Sequence, residues 1–97
     1  MHPLFAAILA RSMVFFVSLP GCPFCIKLEA TLNKFKVPFC KYTMERSDDV
    51  RDDLDVGNAS FPIVFVGGRY IGGFREAKNH PMLNAMGVNE QTAVNNL

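Results

Sequence analysis

The chain has 97 residues, 49% of them apolar, and its ten Lys and Arg against nine Asp and Glu leave a net charge of +1. That length holds one hydrophobic core and excludes a second domain, and the apolar content suffices to fold without a metal or a disulfide framework. Near-neutral, dispersed charge excludes the basic face of a nucleic-acid binder.

Three cysteines are too few for a secreted scaffold, and the odd count leaves a thiol over, which suits a reducing compartment; a cytoplasmic protein is expected. The apolar runs Leu4 to Leu9 and Met13 to Leu19 are separated by Arg11 and Ser12. Neither reaches the ~20 residues of a membrane span, and no basic segment leads them, so no membrane association is expected.

In chain order, residues 3 to 11 read as a short amphipathic helix with Pro3 in its first turn. Met13-Val14-Phe15-Phe16-Val17 is a continuous apolar run, the pattern of a strand buried on both faces. Pro20 and Gly21 end it. From Pro23 to about Phe35, the residues Phe24, Leu28, Leu32 and Phe35 form a helical apolar stripe, with Cys22 at the N-cap and Pro23 at the first helical position.

Val37 to Met44 reads as a second strand, and Pro38 near its start marks an edge position or a strand end. Ser47 caps an expected helix running to Val56, whose acids Asp48, Asp49, Asp52, Asp53 and Asp55 would make a solvated face. Ile63 to Val66, Gly67-Gly68 and Arg69 to Ile71 spell a β-hairpin. A last helix is expected from about Arg75 to Met86, kinked or restarted at Pro81, and a polar, frayed tail from Val88 to Leu97. The whole is one α/β domain: a central four-stranded mixed sheet flanked by helices on both faces.

Cys22-Pro23-Phe24-Cys25 carries the chemistry. On a helix, residues three apart have Cα atoms roughly 5 Å apart, inside the window a disulfide tolerates. A sulfur at the helix N-cap meets unsatisfied N–H groups and the positive end of the dipole, which favours thiolate; Lys27 is placed to add to that field. Cys22 is therefore the expected nucleophile and the more buried Cys25 the resolving thiol. A zinc site would need two further ligands, and only Cys40, His2 and His80 are on offer with no second close pair; two structural cysteines are the other bland reading. Cys40, alone on a strand, reads as packing. Ser60-Phe61-Pro62-Ile63-Val64-Phe65 places a proline at the start of a core strand, and the segment alone leaves a cis and a trans peptide both open.

Taken together, "CPFC" at a strand–helix junction, "SFPIVFV" further on and then "GGRYIGGF" resemble a glutaredoxin of the thioredoxin superfamily, over residues 13 to 86. The resemblance implies a thioredoxin fold and a glutathione-linked thiol–disulfide oxidoreductase acting on protein disulfides or glutathione mixed disulfides. It makes Cys22 the nucleophile, Cys25 the resolver, and Pro62 a cis-proline facing them. Pro23 and Phe24 would belong to the substrate site. Phe61 would pair its backbone with the cysteinyl part of glutathione or of a client peptide. Gly72, Gly73, Phe74 and Arg75 match the segment that receives the γ-glutamyl end. No cofactor is implied beyond glutathione as co-substrate, no metal, and a monomer.

The departures are specific. Leu19 stands where glutaredoxins often carry a Lys for the glycyl carboxylate, Ser60-Phe61 replaces Thr-Val, and Phe74-Arg75-Glu76 replaces a segment that is usually acidic. "GGFRE" is similar instead to NrdH-redoxins, which take electrons from thioredoxin reductase and pass them to ribonucleotide reductase. A third reading, an iron–sulfur carrier, conflicts with Pro23, since family members that hold a cluster usually have Gly or Ser there.

Overall fold

Val14–Ser18 forms strand β1, and all five of its residues are buried. A strand with no exposed face must lie inside a sheet and be covered on both sides. The computed structural model, which describes residues 2–95, places it so. β1 pairs in parallel with β2 (Phe39–Thr43) and antiparallel with β3 (Ile63–Val66), and β4 (Arg69–Gly72) completes the order β2-β1-β3-β4. Gly67 and Gly68, at φ 58° and 80°, make the tight turn of the β3–β4 hairpin, which only a residue tolerant of positive φ closes cheaply. β2 is an edge strand preceded by Pro38, where a missing N–H costs no ladder bond.

Alternation along β1 and β3 splits the core in two. Val14, Phe16, Val64 and Val66 pack with Leu28, Leu32, Phe74 and Leu83 on one face. Phe15, Val17, Ile63 and Phe65 pack with Phe5, Leu9, Met44 and Leu54 on the other. The first layer is supplied by α2 (Pro23–Lys34), α3 (Phe74–Lys78) and α4 (Pro81–Ala85), the second largely by α1 (Pro3–Arg11) and the loop after β2. The expected break at Pro81 is a restart: His80 caps α4 through Nδ1, which accepts the Met82 N–H at 3.2 Å.

Four expectations need correction. No helix forms over 47–56; the segment is a series of turns. Its amides are diverted to side chains, with the Val50 N–H donating to Met44 Sδ at 3.4 Å and the Arg51 N–H to Asp49 Oδ1 at 3.0 Å. Leu54 N–H to Val50 O closes one helical turn, and Asp55 at φ 57° stops it. The acids there are solvated, but not as a helix face.

Secondly, the segment from Val88 to Asn95 is not frayed. Val88 and Ala93 are buried in the first core layer, and the Val94 N–H donates at 2.9 Å to the buried Thr31 Oγ1. Residues 96 and 97 lie outside the described residues. Thirdly, Phe24 leaves the helical stripe and is 53% exposed. Finally, Cys40 is not packing: on edge strand β2 its side chain points to solvent as a free thiol.

Candidate active site

The end of β1 and the start of α2 are joined by a turn through Pro20 and Gly21, Gly21 at φ 73°. The Cys22 N–H donates back to Leu19 O at 3.2 Å, and Cys22 then caps α2, its Sγ accepting the Cys25 N–H at 3.2 Å. An apolar strand end, a proline at the first helical position and a side-chain acceptor at the N-cap are what fix the sulfur there. The two cysteines are joined as a disulfide with Cα atoms 5.2 Å apart. Their surroundings differ: Cys25 is 1% exposed, whereas Cys22 is half-buried against the second apolar layer, to which Leu19 and Phe61 also belong.

The peptide bond between Phe61 and Pro62 is cis. Phe61 precedes β3 and lies outside its register with either neighbouring strand, so its backbone is open to pairing. Phe24, Phe61, Pro62, Phe74 and Arg75 line one groove of about 620 Å³ together with Glu76, Lys78 and Glu90. Phe24 and Phe74 stand across from each other with ring centroids 6.1 Å apart. Gly73 caps α3 beside this groove, and its N–H donates to Glu76 Oε1 at 2.7 Å. Pro23 is exposed at the first position of α2. On the other side of Phe61 a smaller cleft of about 370 Å³ is lined by Leu19, Arg46, Asp49, Arg51 and Ser60.

Three cations sit over the aromatic rings of this region: Lys27 over Phe24 at 5.1 Å, Arg51 over Phe61 at 5.5 Å and Lys78 over Phe74 at 4.9 Å. Lys27 thus stands on Phe24 rather than making a hydrogen bond at the sulfur. Two of the cations are held by carboxylates. Asp49 pairs with Arg51 at 2.6 Å, and the Arg51 hydrogen bonds hold its carboxyl below the usual 3.8 while raising the guanidinium. Glu90 lies 3.6 Å from Lys78 and accepts from Asn79 at 3.1 Å, and these, the Asn79 hydrogen bond first, hold it below the usual 4.5.

Arg51, Lys78 and Glu90 were not singled out from the sequence. Lys78 follows Phe74 by one helical turn and could have been placed by that spacing, whereas Arg51 and Glu90 arrive through irregular chain with no local signal. Among the described residues, no group of three His, Cys, Asp or Glu side chains is placed to hold a metal ion, and no helix is long and apolar enough to cross a membrane.

Residues 13–71 match the family model described as Glutaredoxin. No curated protein matches the chain in sequence. Among solved structures, a dithiolic glutaredoxin of Trypanosoma brucei brucei is similar at TM-score 0.69 and 19% identity, over 90% of this chain and 96% of that one. Oxidized glutaredoxin 2 of Chlamydomonas reinhardtii is similar at TM-score 0.63 and 27% identity, over 86% of each chain. A buckwheat glutaredoxin solved as its glutathione complex is similar at TM-score 0.60 and 19% identity, over 87% of each.

Proposed function

Because this chain belongs to the glutaredoxin family of thiol–disulfide oxidoreductases, we propose that it reduces protein disulfides and glutathione mixed disulfides, with glutathione as the electron donor. The observation that supports this most is Cys22 at the N-cap of α2, its sulfur receiving the Cys25 N–H while Cys25 stays buried one turn away.

Cys22 thiolate attacks one sulfur of the client disulfide; a Cys22–client S–S bond forms, and the departing thiolate takes a proton from water. For a glutathionylated client, the attack falls on the glutathione sulfur and releases the client thiol. The Cys25 thiolate, its proton lost to solvent, then attacks Cys22 Sγ and expels a mixed-disulfide partner, closing Cys22–Cys25. One glutathione thiolate opens that disulfide at Cys22, and a second removes the first as oxidised glutathione, restoring both thiols. The tripeptide lies along Phe61, its γ-glutamyl end toward Gly73, Phe74 and Arg75, in a groove of suitable size for a small ligand. A structure of a family member with glutathione bound supports the co-substrate. The proposal places the protein in the cytoplasm as a monomer.

A second reading, electrons from thioredoxin reductase passed to ribonucleotide reductase, is favoured by two features of the site. Leu19 leaves no lysine for a carboxylate at that position, and Arg75 replaces an acid in the groove. The test is NADPH oxidation with a cysteine–glutathione mixed disulfide, coupled through glutathione and glutathione reductase. Turnover is expected. No turnover there, with turnover through thioredoxin reductase, would replace the first reading by the second.

A further inference from the structure

In the reading above, Phe61 is the residue whose backbone meets the cysteinyl part of a client. Residues 57–61 belong to no helix or strand, and the register of β3 begins only at Ile63. Among the described residues, one hydrogen bond ties this stretch to the rest of the chain: Arg51 Nη1 donates to Ala59 O at 3.2 Å. The same guanidinium stands over the Phe61 ring at 5.5 Å. One side chain therefore grips the segment twice, at a carbonyl two residues before Phe61 and at the Phe61 ring itself.

Arg51 is held in turn. Its Nε donates to both carboxylate oxygens of Asp49 at 3.0 Å and its Nη2 donates to Asp49 Oδ2, while Asp49 Oδ1 also accepts the Arg51 N–H at 3.0 Å. With Nε and Nη2 engaged by the carboxylate, the planar guanidinium aims Nη1 at Ala59, a division of donors that an ammonium lacks. Asp49 pairs with the charge and Asp52 lies near it, so Arg51 offers a client no spare cation. What it supplies is position.

Beyond the cis bond, Pro62 O lies so close to Gly73 that a Cβ added there would be 3.5 Å from it. The segment is thus fixed by close packing at Pro62 and by Arg51 at Ala59 and Phe61.

We propose that Arg51, oriented by Asp49, is a positioning residue for the reaction: it holds the Phe61 backbone in the conformation that pairs with a client peptide before the client arrives. This rests on the thiol–disulfide reading above. Pairing groups fixed in advance spare the encounter the cost of ordering them, and they set the line along which the client sulfur approaches Cys22. A disulfide too small to pair with that backbone gains nothing from the clamp.

The test compares an uncharged peptide disulfide with bis(2-hydroxyethyl) disulfide in single turnovers of the fully reduced protein, with no other electron donor present. Both substrates meet the same Cys22 thiolate, so the ratio of their rate constants, peptide over small disulfide, cancels any change in the nucleophile. In Arg51→Met the ratio should fall about tenfold, and in Arg51→Lys, which keeps the charge without the fork, by a similar factor. N-methylation of the peptide amides beside the cysteine should lower the ratio in the wild-type protein and change it little in Arg51→Met, because the pairing it blocks is already lost. A wild-type ratio in either folded variant would overturn the proposal, the Lys result by showing that charge rather than the fork acts. Circular dichroism checks the fold of both, and if Arg51→Met does not fold, Arg51→Lys decides alone. No reaction of the wild-type protein with either disulfide would overturn the thiol–disulfide reading and this inference with it.

Discussion

Cys22 and Cys25 are the same side chain three positions apart, and the fold makes them chemically unequal. Cys22 Sγ receives a backbone N–H at the head of a twelve-residue helix, whereas Cys25 is 1% exposed within the first turn. Stabilised as an anion and reachable, Cys22 should be alkylated by iodoacetamide in reduced protein with a pH midpoint below the ~8.5 of an ordinary thiol. A midpoint at or above that value would remove the helix-terminus account of its reactivity. Burial makes Cys25 dispensable for one half of the chemistry. Cys25→Ser should keep deglutathionylation, since a second glutathione can release the first, and reduce protein-disulfide reduction to background. Loss of both activities in the folded variant would instead assign Cys25 a part in the first attack. Phe61 and Pro62 can be argued at this scale from the sequence because proline at a core-strand start is anomalous on its own. Arg51 cannot, because its position over Phe61 is set by Asp49 and Ala59 O through an irregular loop.

The elements divide by how local their causes are. β1, the β3–β4 hairpin and α2 were legible because a continuous apolar run, a Gly-Gly pair and a proline at N1 each decide structure within a few residues. The segment 47–56 has a good helical pattern, yet Met44 Sδ and the Asp49 carboxylate, both close in the chain, capture two of its amides, a local competition that apolar spacing and capping residues do not register. The tail differs, because its cause is distant in the chain. Its order comes from Thr31, sixty-three residues earlier, whose buried Oγ1 donates to Lys27 O at 2.8 Å and accepts the Val94 N–H. Thr31→Val keeps the shape and leaves that N–H without its acceptor, so it should cost about 1–3 kcal/mol in urea unfolding, with Thr31→Ser close to wild type. Equal stability of Thr31→Val would mean the tail is held by Val88 and Ala93 alone. At the junction of β4 and α3, Gly72 has φ 120°, and an added Cβ would lie 2.6 Å from Glu76 Oε1. Gly72→Ala should therefore lower stability by more than about 1 kcal/mol, read as a lower thermal midpoint.

At the scale of the molecule, the two sheet faces carry separate apolar layers, and the cysteine site lies where elements from both meet. On one side the 45–60 loop brings the Asp49–Arg51 pair, with Arg51 over Phe61; on the other the C-terminal segment brings Glu90 to Lys78, which stands over Phe74. Two irregular segments thus steady two walls of one groove by the same device. Both carboxyls are held below their usual values of 3.8 and 4.5, so the native state binds fewer protons than the unfolded chain as pH falls into that range. The stabilisation they give is complete above those usual values and is lost as pH falls through the lower values of the folded protein. Both groups are exposed, so the effect is small and screened by salt. Asp49→Asn combined with Glu90→Gln should make the protein less stable at neutral pH and flatten the acid limb of its urea midpoint against pH. The two curves should converge at the acid end, once the pH has fallen below the lowered values at which the wild-type carboxyls themselves take up protons. Curves that stay parallel down to that pH would show that neither pair contributes, and the groove walls would then owe their positions to packing alone.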